Sequence, residues 1–266
     1  MDNRPVLYLD SGIGGIPYCR YFTERNPNET VHYLADRKNF PYGPRKREEL
    51  IGLLTSLIQK LIDSLNPKIA VVACNTATVS ALEALRQNFP GFPFVGTVPA
   101  VKPAIKETKT GKVGVIATER TINDPCIRQL ASGACEVVGI AAPDLVAFVE
   151  QRFAKADEKE KSEIVKKYIR LFSDAGADCI VLGCTHFLFL KDEFVREGAP
   201  NIKIIDSVDG VTRRAEFLLD ENSGALRAGS KTKEQCKFLI TGSQAADASW
   251  QGWAGYLGFP LSLFDV

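Results

Sequence analysis

The sequence predicts an α/β protein of two similar three-layer domains with mostly parallel sheets. Three observations carry that prediction. Short apolar, β-branched runs recur along the 266 residues and alternate with helical periodicities, the pattern of buried parallel strands joined by crossover helices. Two of those runs echo each other, since Ile69 to Ala73 ends at Cys74, Asn75 and Thr76, and Cys179 to Gly183 ends at Cys184, Thr185 and His186. The tail from Val208 onward differs in order from both halves. Its natural packing is onto the first half, which makes residues 98–207 one domain inserted between the two pieces, 1–97 and 208–266, of the other.

Taken in order, Val6 to Leu9 is the first strand, and Asp10 and Ser11 lead into Gly12, Gly14, Gly15 and a helix over Ile16 to Thr23. Glycines there permit positive φ and close approach of backbone N–H groups to an anion. The stretch lacks the ending of a P-loop and the dinucleotide spacing, and a tight turn capped by Asp or Ser accounts for it as well. Thr30 to Ala35 is the second strand, and the prolines around Tyr42-Gly43 make a rigid loop. Between Arg45 and Leu65, Leu50, Leu53, Leu54, Leu57, Ile58, Leu61, Ile62 and Leu65 have the spacing of a long core-facing helix. After the strand that ends at Cys74, Asn75 or Thr76 is placed to cap a helix with Val79, Leu82 and Leu85 on its apolar face.

Phe94 to Val98 is a short strand, Val101 to Ile105 a helical turn or two, and Val113 to Ala117 a strand ending in Thr118 and Thr121. Val137 to Ile140 follows as a strand, and Asp144 is expected to cap a helix carrying Glu150. The charge run Lys155 to Lys161 reads as the solvated start of a helix that reaches Ala175 and stops at Gly176. Past the second cysteine strand come a helix around Phe189 to Val195 and a strand over Ile202 to Ile205. In the tail, Val208 to Leu219 is a helix, Glu221 to Glu234 a polar loop, Lys237 to Thr241 a strand and Ala246 to Gly255 a helix.

Composition narrows the function classes. Charge is balanced, 33 basic against 32 acidic residues for a formal net charge of +1, with no basic stripe interleaved with aromatics. Neither nucleic acid nor an anionic membrane is expected as a partner. No apolar stretch reaches the ~18 residues of a membrane span, and no charged-then-apolar leader is found, so a cytoplasmic protein is expected. Seven cysteines, an odd number without a CxxC pair, point to reduced thiols rather than a disulfide framework.

A single buried cysteine is most often a small hydrophobe; two at matching strand ends invite another reading. Ligands of open α/β sheets gather outside the carboxyl ends of strands. Two thiols in one cleft, on opposite sides of a carbon, can remove a proton from one face and return one to the other, which is stereoinversion without a cofactor. Holding one thiol ionised at pH 7 costs roughly 2 kcal/mol, and helix N-termini at Asn75 and Thr185 would lower that. Charge developing next to a carboxylate needs hydrogen-bond donors; Asn75, Thr76, Thr118 and Thr185 are suitable. Asp10 and His186 are the candidates for exchanging protons with the thiols, and the imidazole titrates near neutrality.

The set Asp10-Ser11-Gly12-Ile13-Gly14-Gly15, Pro41-Tyr42-Gly43, Cys74-Asn75-Thr76-Ala77 and Gly183-Cys184-Thr185-His186 resembles the glutamate racemases of the aspartate/glutamate racemase superfamily, over nearly the whole chain and in order. The resemblance implies two α/β domains with the active site in the interdomain cleft, no cofactor, and interconversion of L- and D-glutamate to supply D-glutamate for peptidoglycan. By it, Cys74 and Cys184 are the catalytic acid/bases, assisted by Asp10 on the Cys74 side and His186 on the Cys184 side. Ser11, Tyr42, Gly43, Asn75, Thr76 and Thr185 would bind substrate, the Tyr42-Gly43 loop near its side-chain carboxylate, and Glu150 matches a family carboxylate near the second thiol. It leaves a homodimer open as one assembly. Two places depart from the family pattern: Phe187 and Leu188 stand where Tyr-Pro is common, and Ala142-Pro143-Asp144 precedes Glu150 in place of Cys-Pro.

Rival readings start from the same residues. The substrate could be aspartate or another amino acid, or the fold could serve as a binding or inhibitor protein without catalysis. Cys74, Cys184 and His186 are also of the types that hold zinc. A pyridoxal enzyme would need a lysine at a strand end, and no lysine stands at an obvious one.

Overall fold

Strands form where the apolar runs lie. A computed structural model describes residues 1–131, 133–224, 226–229, 235–242 and 248–265. Contacts divide them into two compact units, Met1–Thr97 with Val208–Val266, and Val98–Ser207. Among the described residues no helix is long and apolar enough to cross a membrane.

In the first unit, β1 (Val6–Asp10) and β3 (Ile69–Val72) are buried along their whole length and lie side by side in a six-stranded parallel sheet. With β2 (Val31–Ala35), β4 (Phe94–Gly96), β9 (Lys237–Thr241) and β10 (Leu261–Phe264), the strand order is β10-β9-β2-β1-β3-β4. One face of β1 and β3, carrying Leu7, Leu9, Ala70 and Val72, packs with Leu50, Leu54, Leu57, Ile58 and Leu61 of α2 (Arg47–Leu65) and with Ala77, Ala81 and Leu85 of α3 (Asn75–Asn88). On the other face Tyr8 meets Phe22 of α1 (Ile16–Arg25). Apolar residues at helical spacing thus cover a sheet whose own residues alternate between two buried faces, which is why its strands read as near-continuous apolar runs.

The second unit has β5 (Lys112–Ala117), β6 (Glu136–Ala141), β7 (Cys179–Leu182) and β8 (Lys203–Ile205) in a parallel sheet of order β6-β5-β7-β8. Val113, Val115, Ala117, Cys179 and Val181 face α4 (Val101–Glu107) and α6 (Pro125–Ala131). Across the sheet, a Cβ on Gly114 would lie 2.5 Å from the ring of Phe172 on α8 (Glu158–Asp174), so the helix closes down on a glycine. The order β6-β5-β7-β8 repeats β2-β1-β3-β4. Each cysteine therefore follows the third strand of the same four-stranded arrangement.

Several boundaries differ from expectation for local reasons. Cys74, and neither Asn75 nor Thr76, occupies the N-cap position of α3. Ala142, and not Asp144, precedes α7 (Pro143–Gln151), because Pro143 takes the first helical position. The helix begun in the charge run starts at Glu158 rather than at Lys155: Asp157 and Glu160 form a capping box. Gly176, at φ 79°, follows its end. Glu221 to Gly224 extend α10 (Val208–Gly224) where a loop was expected, and residues 225 and 230–234 of that stretch lie outside the described residues. The last helix, α11, spans Ala248–Leu257; Ala246 lies outside the described residues. Strand β10 and the short helices α5 (Glu119–Asn123) and α6 had no counterpart in the sequence reading.

Candidate active site

Both sheets have a switch point, where chain order runs outward in opposite directions. In the first unit it lies between β1 and β3, in the second between β5 and β7. In open α/β sheets ligands gather beyond the strand ends at such a point, and in each unit a cysteine follows the strand there.

In the first unit the ladder continues one residue past β3, with Ala73 N–H donating to Leu9 O at 2.7 Å. Cys74 comes next, extended at φ −138°, ψ 115°, and buried, with no side-chain capping bond to the 14-residue helix that it opens. The positive end of that helix favours an anion at the thiol. Asp10 ends β1 in the adjacent position, its Oδ1 accepting Gly12 N–H at 2.7 Å. This is the bracing of the tight turn by an aspartate, and Tyr33 adds a hydroxyl bond to Gly12 O at 2.7 Å. Gly15 is required by proximity: a Cβ there would stand 2.9 Å from Ala73 Cβ and 3.0 Å from Asp10 Cβ. The turn thus packs on the ends of both strands.

Ser11, Asn75 and Thr76 are buried beside Asp10 and Cys74 in sequence. Asn75 is distinctive, because it is 3% exposed and both Oδ1 and Nδ2 lack a hydrogen-bond partner. An unmade pair of buried hydrogen bonds costs about 1–3 kcal/mol for each group, and a bound molecule would recover it. Tyr42 belongs to the same apolar cluster as Cys74, and its hydroxyl donates to Asp36 Oδ2 at 2.6 Å. Burial, followed by the negative groups Asp36, Cys74 and Asp10, holds its phenol proton well above the ordinary tyrosine range. Gly43 is half-buried next to it.

The second unit repeats the register. Gly183 N–H donates to Ile116 O at 2.7 Å, and a Cβ on Gly183 would lie 3.0 Å from that oxygen and 3.1 Å from Ala117 Cβ. Cys184 follows, extended and buried. What comes after it differs from the expected helix: a six-residue 3-10 helix, Thr185–Leu190, precedes α9 (Lys191–Gly198). The weaker dipole of so short a turn is supplemented by an imidazole. His186 Nδ1 lies 3.7 Å from Cys184 Sγ, and His186 Nε2 lies 2.7 Å from Glu150 Oε1 on α7. Burial opposes charge on this ring, but the hydrogen bonds to Cys184 and Glu150 outweigh it and raise His186 well above its ordinary value. Thiol, imidazole and carboxylate form a chain along which a proton can be held or passed. Thr185 is buried beside it. Thr118, at the end of β5, is already engaged as the cap of α5, its Oγ1 3.4 Å from Thr121 N and 3.0 Å from Thr121 Oγ1. Among the described residues no group of three or more His, Cys, Asp or Glu is arranged to hold a metal ion.

The profile of the family described as Asp/Glu/Hydantoin racemase matches residues 21–215. A glutamate racemase of Herpetosiphon aurantiacus is 38% identical over 222 residues, 82% of this chain and 86% of its own. The chain belongs to the Asp/Glu/hydantoin racemase family.

Solved structures agree with this racemase in fold. Escherichia coli glutamate racemase, in complex with L-glutamate and the activator UDP-MurNAc-Ala, superposes with a TM-score of 0.85 at 27% identity, covering 99% of this chain and 98% of that one. Glutamate racemase from Francisella tularensis in complex with D-glutamate gives 0.81 at 25% identity, with 99% and 98% covered. The enzyme is thus an isomerase of the racemase class.

Of the residues singled out by sequence, the first unit places Asp10, Ser11, Cys74, Asn75 and Thr76 at the ends of β1 and β3 and Tyr42, followed by Gly43, in the apolar cluster of Cys74. The second joins Cys184, His186 and Glu150 through side-chain contacts, with Thr185 next to Cys184 in sequence, while Thr118 is engaged with Thr121. The sequence reading did not single out Asp36. Its signal was an acidic side chain directly after an apolar strand, one position past the residue that pairs with Asp10.

Proposed function

We propose that the enzyme interconverts L- and D-glutamate without a cofactor, in the cytoplasm, and supplies D-glutamate for peptidoglycan. The observation that carries this reading is the equivalent placement of Cys74 and Cys184, each one residue past the ladder of the third strand at a switch point. The chemistry asks both sulfurs to address one α-carbon from opposite faces. From L-glutamate, the Cys184 thiolate takes the α-proton while the Cys74 thiol delivers one to the other face; from D-glutamate the roles reverse. His186, kept protonated by Cys184 and Glu150, stabilises the thiolate on its side, and Asp10 exchanges a proton with Cys74. Negative charge spreads onto the α-carboxylate as the carbon flattens, and Asn75, Thr76 and Thr185 supply hydrogen bonds to it. The free amide of Asn75 and the glutamate-bound relatives support glutamate as the ligand.

Chiral chromatography of purified enzyme with each L-amino acid is the test, and turnover of aspartate without glutamate would defeat the reading. Cys74→Ser and Cys184→Ser should each lose racemisation by about 10²-fold or more. With a glutamate analogue bearing a β leaving group, which needs one base only, Cys74→Ser should keep elimination from the L form and Cys184→Ser from the D form. Equal loss with both forms in both variants would remove the assignment of sides.

A further inference from the structure

Asp36 stands outside the residues that the reaction uses, and it gathers several partners of its own. It follows β2 directly and is fully buried. Its Oδ1 accepts the hydroxyl of Thr241 at 2.6 Å, its Oδ2 accepts the phenol of Tyr42 at 2.6 Å, and the Asn39 amide lies 3.0 Å from both oxygens. Asp36 N–H donates to Asp10 O at 2.8 Å. Thr241, at the end of β9, is held in turn by accepting Lys38 N–H at 3.0 Å. Three segments, namely the turn Arg37–Asn39, the loop with Tyr42 and the end of β9, therefore converge on one carboxylate, while the backbone N–H of the same residue ties it to the end of β1.

Burying a carboxylate is costly unless strong hydrogen bonds replace its water, and charge-assisted bonds at this length do so only when the donors are held in place. The arrangement orients as well as it satisfies. A phenol has a single proton, and that of Tyr42 is committed to Asp36, so the ring is fixed in position and its oxygen offers only lone pairs elsewhere. Tyr42 shares its apolar cluster with Cys74, so whatever fixes Tyr42 also shapes the surroundings of that thiol.

We propose that Asp36 is the positioning residue of the Cys74 half-site, holding the Tyr42-Gly43 loop against the end of β9 before any substrate arrives. This deepens the racemase reading above and rests on it. A loop ordered in advance spares the substrate the cost of ordering it. Without the hub that cost falls on binding, while the bound substrate still meets the same thiols. The tail strand β9 thereby contributes to substrate affinity through Thr241, 205 positions after Asp36.

Steady-state kinetics with D- and L-glutamate tests this. Thr241→Val keeps the side-chain shape and removes the hydroxyl; KM should rise about tenfold with kcat within about threefold of wild type. Thr241→Ser, which restores the hydroxyl, should return KM to the wild-type value. Asp36→Asn, which turns an amide N–H₂ toward groups that donate, should raise KM further. If the wild type racemises glutamate while Thr241→Val keeps its KM, or loses kcat instead, or is not rescued by Thr241→Ser, the positioning role is overturned and the racemase reading stands. A wild type inert toward glutamate overturns both. Should Asp36→Asn fail to fold, the two Thr241 variants decide the matter.

Discussion

His186 and Glu150 meet across 36 positions of sequence, with Nε2 2.7 Å from Oε1, because α7 lays its last turn against the 3-10 helix that follows Cys184. Burial works against charge on the ring, and the bonds to Cys184 and Glu150 overcome it, so His186 holds its proton to higher pH than an ordinary histidine and loses it as pH rises through its elevated value. Glu150→Gln removes the countercharge. The imidazole should then titrate at lower pH, visible in its proton NMR signals, and the basic limb of kcat/KM should move the same way, with a loss of about tenfold or more at pH 8. An unchanged titration would separate Glu150 from the function of the thiol.

Asn75 offers a prediction of opposite sign for stability and affinity. Its amide is buried without partners, so the unliganded protein bears the cost of two unmade hydrogen bonds. Asn75→Ala should leave the urea midpoint unchanged or raise stability by about 1 kcal/mol, while KM for glutamate rises about tenfold or more. A variant that loses stability and keeps its KM would show the amide to be structural.

At Gly183 the prediction is steric. A methyl there would press on Ile116 O at 3.0 Å and Ala117 Cβ at 3.1 Å, atoms of a buried strand that cannot turn aside. Gly183→Ala should cost about 1–3 kcal/mol of stability and at least about tenfold in kcat, since Cys184 is the next residue. Thermal melting and racemisation rates measure the two effects separately.

His32 should make the fold acid-sensitive. Burial is the main cause that lowers its folded pKa to about 4, against 6.5 for an ordinary histidine. The unfolded chain therefore binds the proton first as pH falls. Stability is fully present above pH 6.5 and is lost as pH falls through 4, by roughly 3 kcal/mol for this group. Urea midpoints between pH 7 and pH 4 should decline less steeply in His32→Gln than in wild type.

Lys68 and Glu29 form a fully buried ion pair at 2.5 Å, and Lys68 Nζ also donates to Asp2 O and Leu226 O at 2.7 Å. Lys68→Met leaves the Glu29 carboxylate buried and uncompensated, a loss of about 3–5 kcal/mol. The pair ties the chain start and the segment after α10 to the sheet, away from the thiols, so kcat of the variant that remains folded should match wild type.

Much of this enzyme was legible in its sequence because burial on both faces writes itself as an apolar run. The strands over Val6 to Leu9, Ile69 to Ala73 and Cys179 to Gly183 could be read for that reason, and so could the place of Cys74 and Cys184 just past strand ends, since a polar residue that closes such a run marks where the strand stops. The motifs at Asp10, Tyr42, Cys74 and Cys184 likewise named the family. Helices too short to show a period, such as Glu119–Asn123, and the edge strand Leu261–Phe264, exposed over its middle residues, have no comparable signature.

What only the tertiary structure decided are the partnerships between distant residues: Glu150 with His186, Asp36 with Tyr42 and Thr241, and the glycines that must be glycines because another strand end lies against them. Periodicity and propensity describe how a segment relates to its own axis, and so reveal strand, helix and buried face. A hydrogen bond across 36 or 205 positions depends on how separate segments stack, and the residues at its two ends keep the same local pattern whether or not they meet.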